Sequence, residues 1–352
     1  MKITLGEVGT YINGYAFKPS DWGTSGLPII RIQNLTNQNT IPNYFDGPYN
    51  SKFEVNNGDI LIAWSGSLGI HVWQKNKALL NQHIFRVEFN KCEIDKMYFY
   101  YAVKHNIHKM LHLTHGATMR HIIKSDFEQI IIPYPSLDVQ AKISKILSYL
   151  EQNIINYRTI LSKLELLIKS RFVEMFGDPN MVALNKGVKF SSVAKIITGN
   201  TPSRKSSEYY GDYIEWIKSD NIISTNLYIS QAKEFLSEQG AAKGRVAPKD
   251  SLLMTCIAGS IRSIGNVGIC NRSVAFNQQI NAIVLKNNIN PLYAYWLLKL
   301  FKPSIIANVE MSLKGIISKS QLENMLIPII ASQEEQELFI KFALQINKLK
   351  FA

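Results

Sequence analysis

The sequence predicts an α+β fold with an internal pseudo-two-fold repeat: two similar domains joined by long heptad helices that pair as an antiparallel coiled coil. Three observations carry this. Motifs of the first half return in order in the second, the middle holds one unbroken heptad seam, and the remainder reads as short strands between loops.

The repeat runs the length of the chain. Val8 to Gly14 (VGTYING) matches Val193 to Gly199 (VAKIITG), and Ile29 to Leu35 (IIRIQNL) matches EWIKSDNI around Trp216 to Ile222. Gly66-Ser67 matches Gly259-Ser260, and Asn81-Gln82-X-Ile84 matches Asn277-Gln278-X-Ile280. Ile122-Ile123, Phe127-Glu128 and Ile132-Pro133 match Ile316-Ile317, Leu322-Glu323 and Ile327-Pro328. The separation grows in small steps, as loop insertions in the second copy produce. Two copies in one chain suit a target that also has two parts.

The first domain spans 1–135. Ile60 to Trp64 and Phe85 to Phe89 have strand length and strand residues, and the region from Asp95 to Leu113 has a helical pattern. Pro133-Tyr134-Pro135-Ser136 then punctuates the chain, with Ser136 placed to cap a helix. That helix, in 136–178, carries the seam Ile143, Leu147, Leu150, Ile154, Tyr157, Leu161, Leu164, Ile168, in alternating steps of four and three. Neither Gly nor Pro interrupts it before Gly177-Asp178-Pro179, so it extends roughly 58 Å at 1.5 Å per residue. A stripe this narrow calls for another helix as its partner. The second domain occupies 179–330, and a terminal helix in 331–352 carries Phe339, Phe342, Ile346 and Leu349 at the same spacing. It is about half as long as the central helix, so the central seam from about Tyr157 onward is expected to lack an intramolecular partner.

Composition narrows the partner. The apolar runs Ile130 to Ile132 and Leu326 to Ile330 are far too short to cross a bilayer, and MKITLGEVG contains no apolar signal region. Cys92, Cys256 and Cys270 form no CxxC pair and suit a reducing compartment, so a cytoplasmic protein is expected. Lys+Arg 39 against Asp+Glu 27 leaves a net +12, which favours a polyanionic partner. Nucleic acid leads membrane, because no segment is both strongly basic and amphipathic at helical period.

Chemistry-bearing motifs point away from catalysis. Asn290-Pro291-Leu292-Tyr293 resembles the amine-holding motif of amino-methyltransferases but has Leu at the second proline and no F-x-G-x-G loop before it. Asn at a helix N-cap with Pro following explains it. His105, His108, His112 and His115 share one helical face, yet no Cys or carboxylate completes a metal site. Gly66-Ser67-Leu68-Gly69 is not a nucleophile elbow, and there is no Walker loop. No enzyme activity, metal or cofactor is expected.

The order of domain, heptad helix, domain and heptad helix resembles the DNA-specificity subunit of type I restriction-modification systems. The resemblance also rests on Thr198-Gly199-Asn200-Thr201-Pro202-Ser203, on Gly58-Asp59-Ile60-Leu61 before Gly66-Ser67, and on His115 through Ile122 (HGATMRHI). Leu137 to Gln140 after the prolines and Arg171 through Gly177 (RFVEMFG) complete it. The family implies that each domain is a target recognition domain reading one half of a bipartite double-stranded DNA site. The helices would set the spacer and dock two methyltransferase subunits, with restriction and motor subunits joining them. The chain would catalyse nothing. The alternative is the same module serving a combined methyltransferase-nuclease of type II as its separate specificity chain.

Base edges are read by Arg, Lys, Asn, Gln, Asp or Ser on exposed loops. The first-domain candidates are Arg31, Gln33, Asn34, Ser65, Ser67, Gln82 and His83, with Arg120 for a phosphate. The second-domain set is Lys218, Ser219, Asp220, Asn221, Ser260, Arg262, Gln278 and Gln279, with Arg204, Lys205 and Lys314 for phosphates. RIQN against KSDN, and NQH against NQQ, predict two different half-sites and an asymmetric whole.

Overall fold

In the computed structural model the chain divides into two units, Met1–Tyr157 and Arg158–Ala352. The structure describes residues 1–37, 39–112, 121–286, 288–311, 315–328 and 330–349, without the side chains of 108, 109, 112, 310 and 311.

The first unit begins with β1 (Lys2–Thr4), α1 (Leu5–Val8), β2 (Thr10–Asn13), β3 (Leu27–Ile30) and α2 (Ile32–Thr36). It continues through β4 (Asn43–Phe45), β5 (Glu54–Val55), β6 (Ile60–Ala63), β7 (Gly69–Val72), β8 (Ala78–Leu80) and β9 (Ile84–Glu88). Then come α3 (Lys96–His112), α4 (Lys124–Glu128), β10 (Ile131–Pro133) and the start of α5 (Leu137–Phe176). The sheets are β2-β9-β6-β7, β4-β3-β8-β5 and the pair β1-β10. All four residues of β6 are buried because it lies inside its sheet, with a core on each face. Leu5, Ile62, Phe85, Phe99 and Phe127 form the larger core.

The second unit repeats this order after α6 (Pro179–Lys186): β11 (Gly187–Lys189), α7 (Phe190–Val193), β12 (Ala194–Thr198) and β13 (Tyr210–Ile217). β14 (Phe235–Leu236), α8 (Glu238–Lys243), β15 (Val246–Ala247), β16 (Leu252–Thr255), β17 (Ile257–Ala258) and β18 (Val267–Ile269) follow. β19 (Val274–Phe276), β20 (Ile280–Leu285), α9 (Pro291–Ala307), β21 (Glu310–Met311), β22 (Gly315–Ile316), α10 (Lys319–Asn324), β23 (Leu326–Pro328) and α11 (Gln333–Leu349) complete it. Three of its sheets, β12-β20-β16-β18, β14-β13-β19-β15 and β11-β23, have the strand order of the first unit, and it adds a three-stranded sheet β17-β22-β21.

One match of the repeat shifts by a residue. Ile122 and Ile317 are the buried equivalents, their amides donating to Trp64 O and Cys256 O, so Ile122 pairs with Ile317 rather than Ile316. The repeat extends to helix anchors as well. Gln140 is fully buried, accepting from Asp95 N at 3.0 Å and donating to Pro135 O at 2.8 Å. Gln336 does the same, accepting from Asn290 N at 2.9 Å and donating to Ala331 O at 2.8 Å. Each glutamine ties the start of a long helix to the loop before α3 or α9, because a buried amide must fill its hydrogen bonds. Asn290 caps α9, its side chain accepting from Leu292 N at 2.9 Å, and Tyr293 is core. Burial pushes the Tyr293 hydroxyl up to about 12.

α5 is one helix of 40 residues, about 60 Å long, ended by Gly177 with φ +79°. The unit boundary falls inside it because its two halves pack on different cores. Tyr101 donates to Glu151 at 2.9 Å in the first unit, whereas Phe172 and Ile168 are buried in the second. There Phe339 of α11 meets Phe172 edge-on at 5.2 Å and Phe176 at 5.8 Å, and Arg171 lies 6.0 Å from the Phe342 ring. α11 thus advances as α5 steps back, the order of an antiparallel pair. Phe339, Ala343 and Ile346 are buried, and Leu349 is exposed. The expectation that the seam is covered before Tyr157 and bare after it is reversed, because α11 packs on the last turns of α5 and not on its earlier ones. Leu150 (50%), Ile154 (52%), Tyr157 (68%) and Leu161 (42%) are exposed, whereas Leu164 is half-buried and Ile168 fully buried by this contact.

Replacing Phe339 with Ala should cost the second unit about 3–5 kcal/mol, as for a buried aromatic. Denaturant unfolding followed separately for the two units would show the second transition moved and the first unchanged.

Candidate nucleic-acid interface

The candidate loops of each unit leave the same edge because of strand register. In the first unit β3 pairs parallel to β8, Ile29 with Leu79 and Ile30 with Leu80, so Arg31 and Asn81 emerge side by side. Asn81 N donates to Ile30 O at 3.3 Å. β6 and β2 both end beside the start of β9, at Ala63↔Ile84 and Asn13↔Phe85, which brings Trp64, Asn13 and His83 together. Trp64 N donates to His83 O at 3.1 Å, its Nε1 donates to Asn13 Oδ1 at 3.1 Å, and its ring lies 5.1 Å from the His83 ring. The second unit repeats the construction. Trp216 pairs with Ala275 and Ile217 with Phe276, Asn277 N donates to Ile217 O at 3.0 Å, and Thr255 ends opposite Ile280. Two glycines permit the close crossing: a Cβ on Gly14 would stand 2.1 Å from Asn81 O, and one on Gly199 would stand 2.1 Å from Asn277 O.

On this frame the candidates divide by role. Asn34 and Asn221 are buried and their side chains are committed. Asn34 accepts from Arg31 N at 3.0 Å and donates to Thr40 O at 3.2 Å; Asn221 accepts from Lys218 N at 2.9 Å and donates to Gln231 O at 2.9 Å. They brace the loop, a correction to their place among exposed readers. Ser65 is also buried, bridged to His121, and is likewise no exposed contact. Gln33, Ser67, Lys205, Asp220, Ser260, Arg262 and Gln278 are exposed, whereas Arg31, Gln82, His83, Lys218, Ser219 and Gln279 are half-buried at the edge. Ser260 and Arg262 sit farther along, before and within the turn Ile261–Ser263. Arg120 and Lys314 lie outside the described residues, as does His115, together with the side chains of His108 and His112. Among the described residues no group of three His, Cys, Asp or Glu is placed to hold a metal. No described helix is long and apolar enough to cross a membrane.

The two copies hold their leading cation differently. Arg31 lies 4.6 Å above the Trp22 ring. Its counterpart Lys218 lies 5.1 Å from the Trp216 ring and pairs with Glu234, which also takes Arg204 at 2.6 Å. The Lys218 ammonium and then the Arg204 guanidinium hold the Glu234 carboxyl below the usual range. Ser219 donates to Gln279 Oε1 at 3.3 Å, which also takes Asn277 Nδ2 at 3.1 Å. In the first unit burial, and then the charge of His121, keeps the His83 imidazole below its ordinary pKa. Trp22 and Glu234 were not among the sequence candidates. Glu234 meets Lys218 only because β14 folds back beside β13, and no local pattern signals that.

Asn34→Ala should cost the first unit about 1–3 kcal/mol, since it strands two backbone groups. Chemical denaturation checks this, and an unchanged midpoint would return Asn34 to the exposed set.

The model of the type I restriction modification DNA specificity domain matches the chain twice, over residues 1–166 and 185–348. The specificity subunit of the type I restriction enzyme EcoBI of Escherichia coli is 25% identical over 171 residues, 48% of this chain and 36% of that protein. The MjaVIII specificity subunit of Methanocaldococcus jannaschii is 33% identical over 122 residues, 35% of this chain and 28% of that protein. The matches thus span about a third of these curated relatives. The solved S subunit of a type I system from M. genitalium shares the fold, with a TM-score of 0.61 at 16% identity, over 99% of this chain and 90% of that one. With its domain present once in each unit, the chain belongs to the type I restriction modification DNA specificity domain family.

Proposed function

We propose that this chain is a sequence-specific DNA-binding specificity subunit that directs methyltransferase and restriction subunits to a bipartite, asymmetric site. One observation carries the reading: the same strand-end edge is built twice, with different side chains on it. Arg31, Gln33, Gln82 and His83 form one set; Lys218, Ser219, Asp220, Gln278 and Gln279 form the other. Arg or Lys suits guanine in the major groove and Gln suits adenine, so sets that differ this way read different half-sites. Ser67, Ser260 and Arg262 flank these edges, and Lys205 and Arg204 would meet phosphates, Arg204 after exchanging Glu234 for a phosphate oxygen. The net charge of +12 supports binding to a polyanion. The exposed turns of α5 around Leu150, Ile154, Tyr157 and Leu161 would be covered by methyltransferase subunits, two per chain by the symmetry of the repeat, with restriction and motor subunits joining that core. The chain needs no chemistry of its own for this task. The curated relatives are named as type I specificity subunits, which favours this assembly over a combined type II enzyme.

Co-expression with the neighbouring methyltransferase subunit, followed by mapping adenine methylation across the host genome, should yield one two-part motif with a fixed gap that vanishes without this chain. A palindromic motif, or methylation that persists without the chain, overturns the reading. In the same assay Arg31→Ala should relax a single base pair of one half-site by about 1–3 kcal/mol. A uniform loss across sequences would make Arg31 a phosphate contact. Four residues inserted between Tyr157 and Leu161, about 6 Å of helix, should lengthen the gap and leave both half-sites unchanged. Altered half-sites would refute the helix as a spacer.

A further inference from the structure

Beside the reading edge of the first unit lies a cavity of about 420 Å³ walled by the rings of Tyr15, Phe17, Phe45, Tyr49 and Phe53, with the Asp21 carboxylate among its lining groups. The rings already pack on one another, Tyr15 against Phe17 at 4.9 Å and Phe53 at 5.5 Å, and Phe17 against Phe45 at 5.2 Å. Tyr15 and Tyr49 remain substantially exposed. Five aromatic rings line a space of ligand size, one of them, Phe53, with Lys52 Nζ 4.9 Å from its centre.

The repeat supplies the comparison. By strand register Ile29, Leu79 and Phe45 correspond to Trp216, Ala275 and Leu236. In the second unit that face is roofed by the chain itself. Tyr210 donates to Pro202 O at 2.7 Å, and the Arg204 guanidinium stacks 4.6 Å from Tyr210 and 4.8 Å from Trp216, with Glu234 as its acid. Counting from the matched Gly14 and Gly199, Pro19 stands where the second copy has Arg204. One copy therefore fills this place with its own planar, N–H-bearing group, and the other leaves an aromatic cavity with an acid beside it.

We infer that the aromatic cavity of the first unit binds a single unstacked nucleobase carrying an exocyclic amino group. The rings would stack on the base and Asp21 would accept from the amine, as carboxylates do from cytosine N4. Asp21 has capacity for this: its Oδ2 takes Lys18 N at 2.7 Å and its Oδ1 takes Ser20 Oγ at a long 3.5 Å, and a carboxylate offers further lone pairs. Continuity with the reading edge favours a base over a protein cation. Tyr15 N donates to Leu80 O, and Tyr15 O accepts from Gln82 N, both at 2.8 Å, so the cavity wall and the reader Gln82 share one backbone junction. The assignment rests on the DNA-binding reading above.

The test is fluorescence anisotropy of the full chain with short single-stranded oligodeoxycytidylate and oligothymidylate. Oligodeoxycytidylate should bind more tightly. Tyr15→Ala and Tyr49→Ala should each weaken it about tenfold, the loss of one stacked base, with unfolding midpoints near wild type. Asp21→Ala should abolish the preference for cytosine while keeping the affinity for thymine strands, with its unfolding midpoint measured because Asp21 also takes Lys18 N. Variants that bind as wild type does overturn the inference, and so does competition by N-acetylarginine amide but not by deoxycytidine, which would mark a cation site. Methylation mapping of the wild-type complex tests the DNA-specificity reading separately, so the two can fail independently.

Discussion

The parallel register of β3 with β8, and of β13 with β19, is the contact on which the candidate site depends. Parallel strands release their C-terminal ends at one edge, so residues far apart in sequence, Arg31 and Asn81 or Lys218 and Asn277, leave the sheet together. The asparagine amide then bonds the carbonyl of the neighbouring strand, and the segment carrying Gly14 or Gly199 crosses so close that no side chain fits. The second, antiparallel sheet brings its own strand ends to that edge through Trp64 and His83 in the first copy. Loop sequences can change above this junction without disturbing the strands beneath, which is what a reader of varied targets requires.

The copies show how one frame accepts different chemistry. Both place a cation after the third strand and both set an indole against it, yet the indole comes from different places, Trp22 in a preceding loop and Trp216 in the strand itself. The second copy adds Glu234, which pairs with two cations in the free protein and offsets one of their charges. A phosphate or base edge must then displace or share an existing ion pair, whereas Arg31 rests against its indole. Charge near an interface of this kind sets specificity and salt dependence more than total affinity.

α5 links local pattern to assembly. Its first turns are anchored by Gln140, its last turns are buried with Phe339, and its middle exposes a row of large apolar side chains. An apolar stripe in water is costly to leave uncovered, and patches of this kind mark contact surfaces.

The sequence by itself determined the repeat, the long helix and its stop at Gly177, the cap role of Asn290 and the loops that carry the candidates, because periodicity, capping and matched motifs are local signals. Register within the repeat was legible along β2, β3 and β8, and slipped by a residue at Ile122 and Ile317, where adjacent isoleucines look alike until burial separates them. Only the tertiary structure decided which polar loop residues face outward. Asn34, Asn221 and Ser65 have the composition of readers, but nearby backbone groups claim the two asparagine side chains as braces, and Ser65 is buried where its backbone bridges to His121. Glu234, the Trp22 stack and the aromatic cavity depend on strand pairings across long separations, and a linear pattern does not encode which distant ring or acid will arrive beside a given loop.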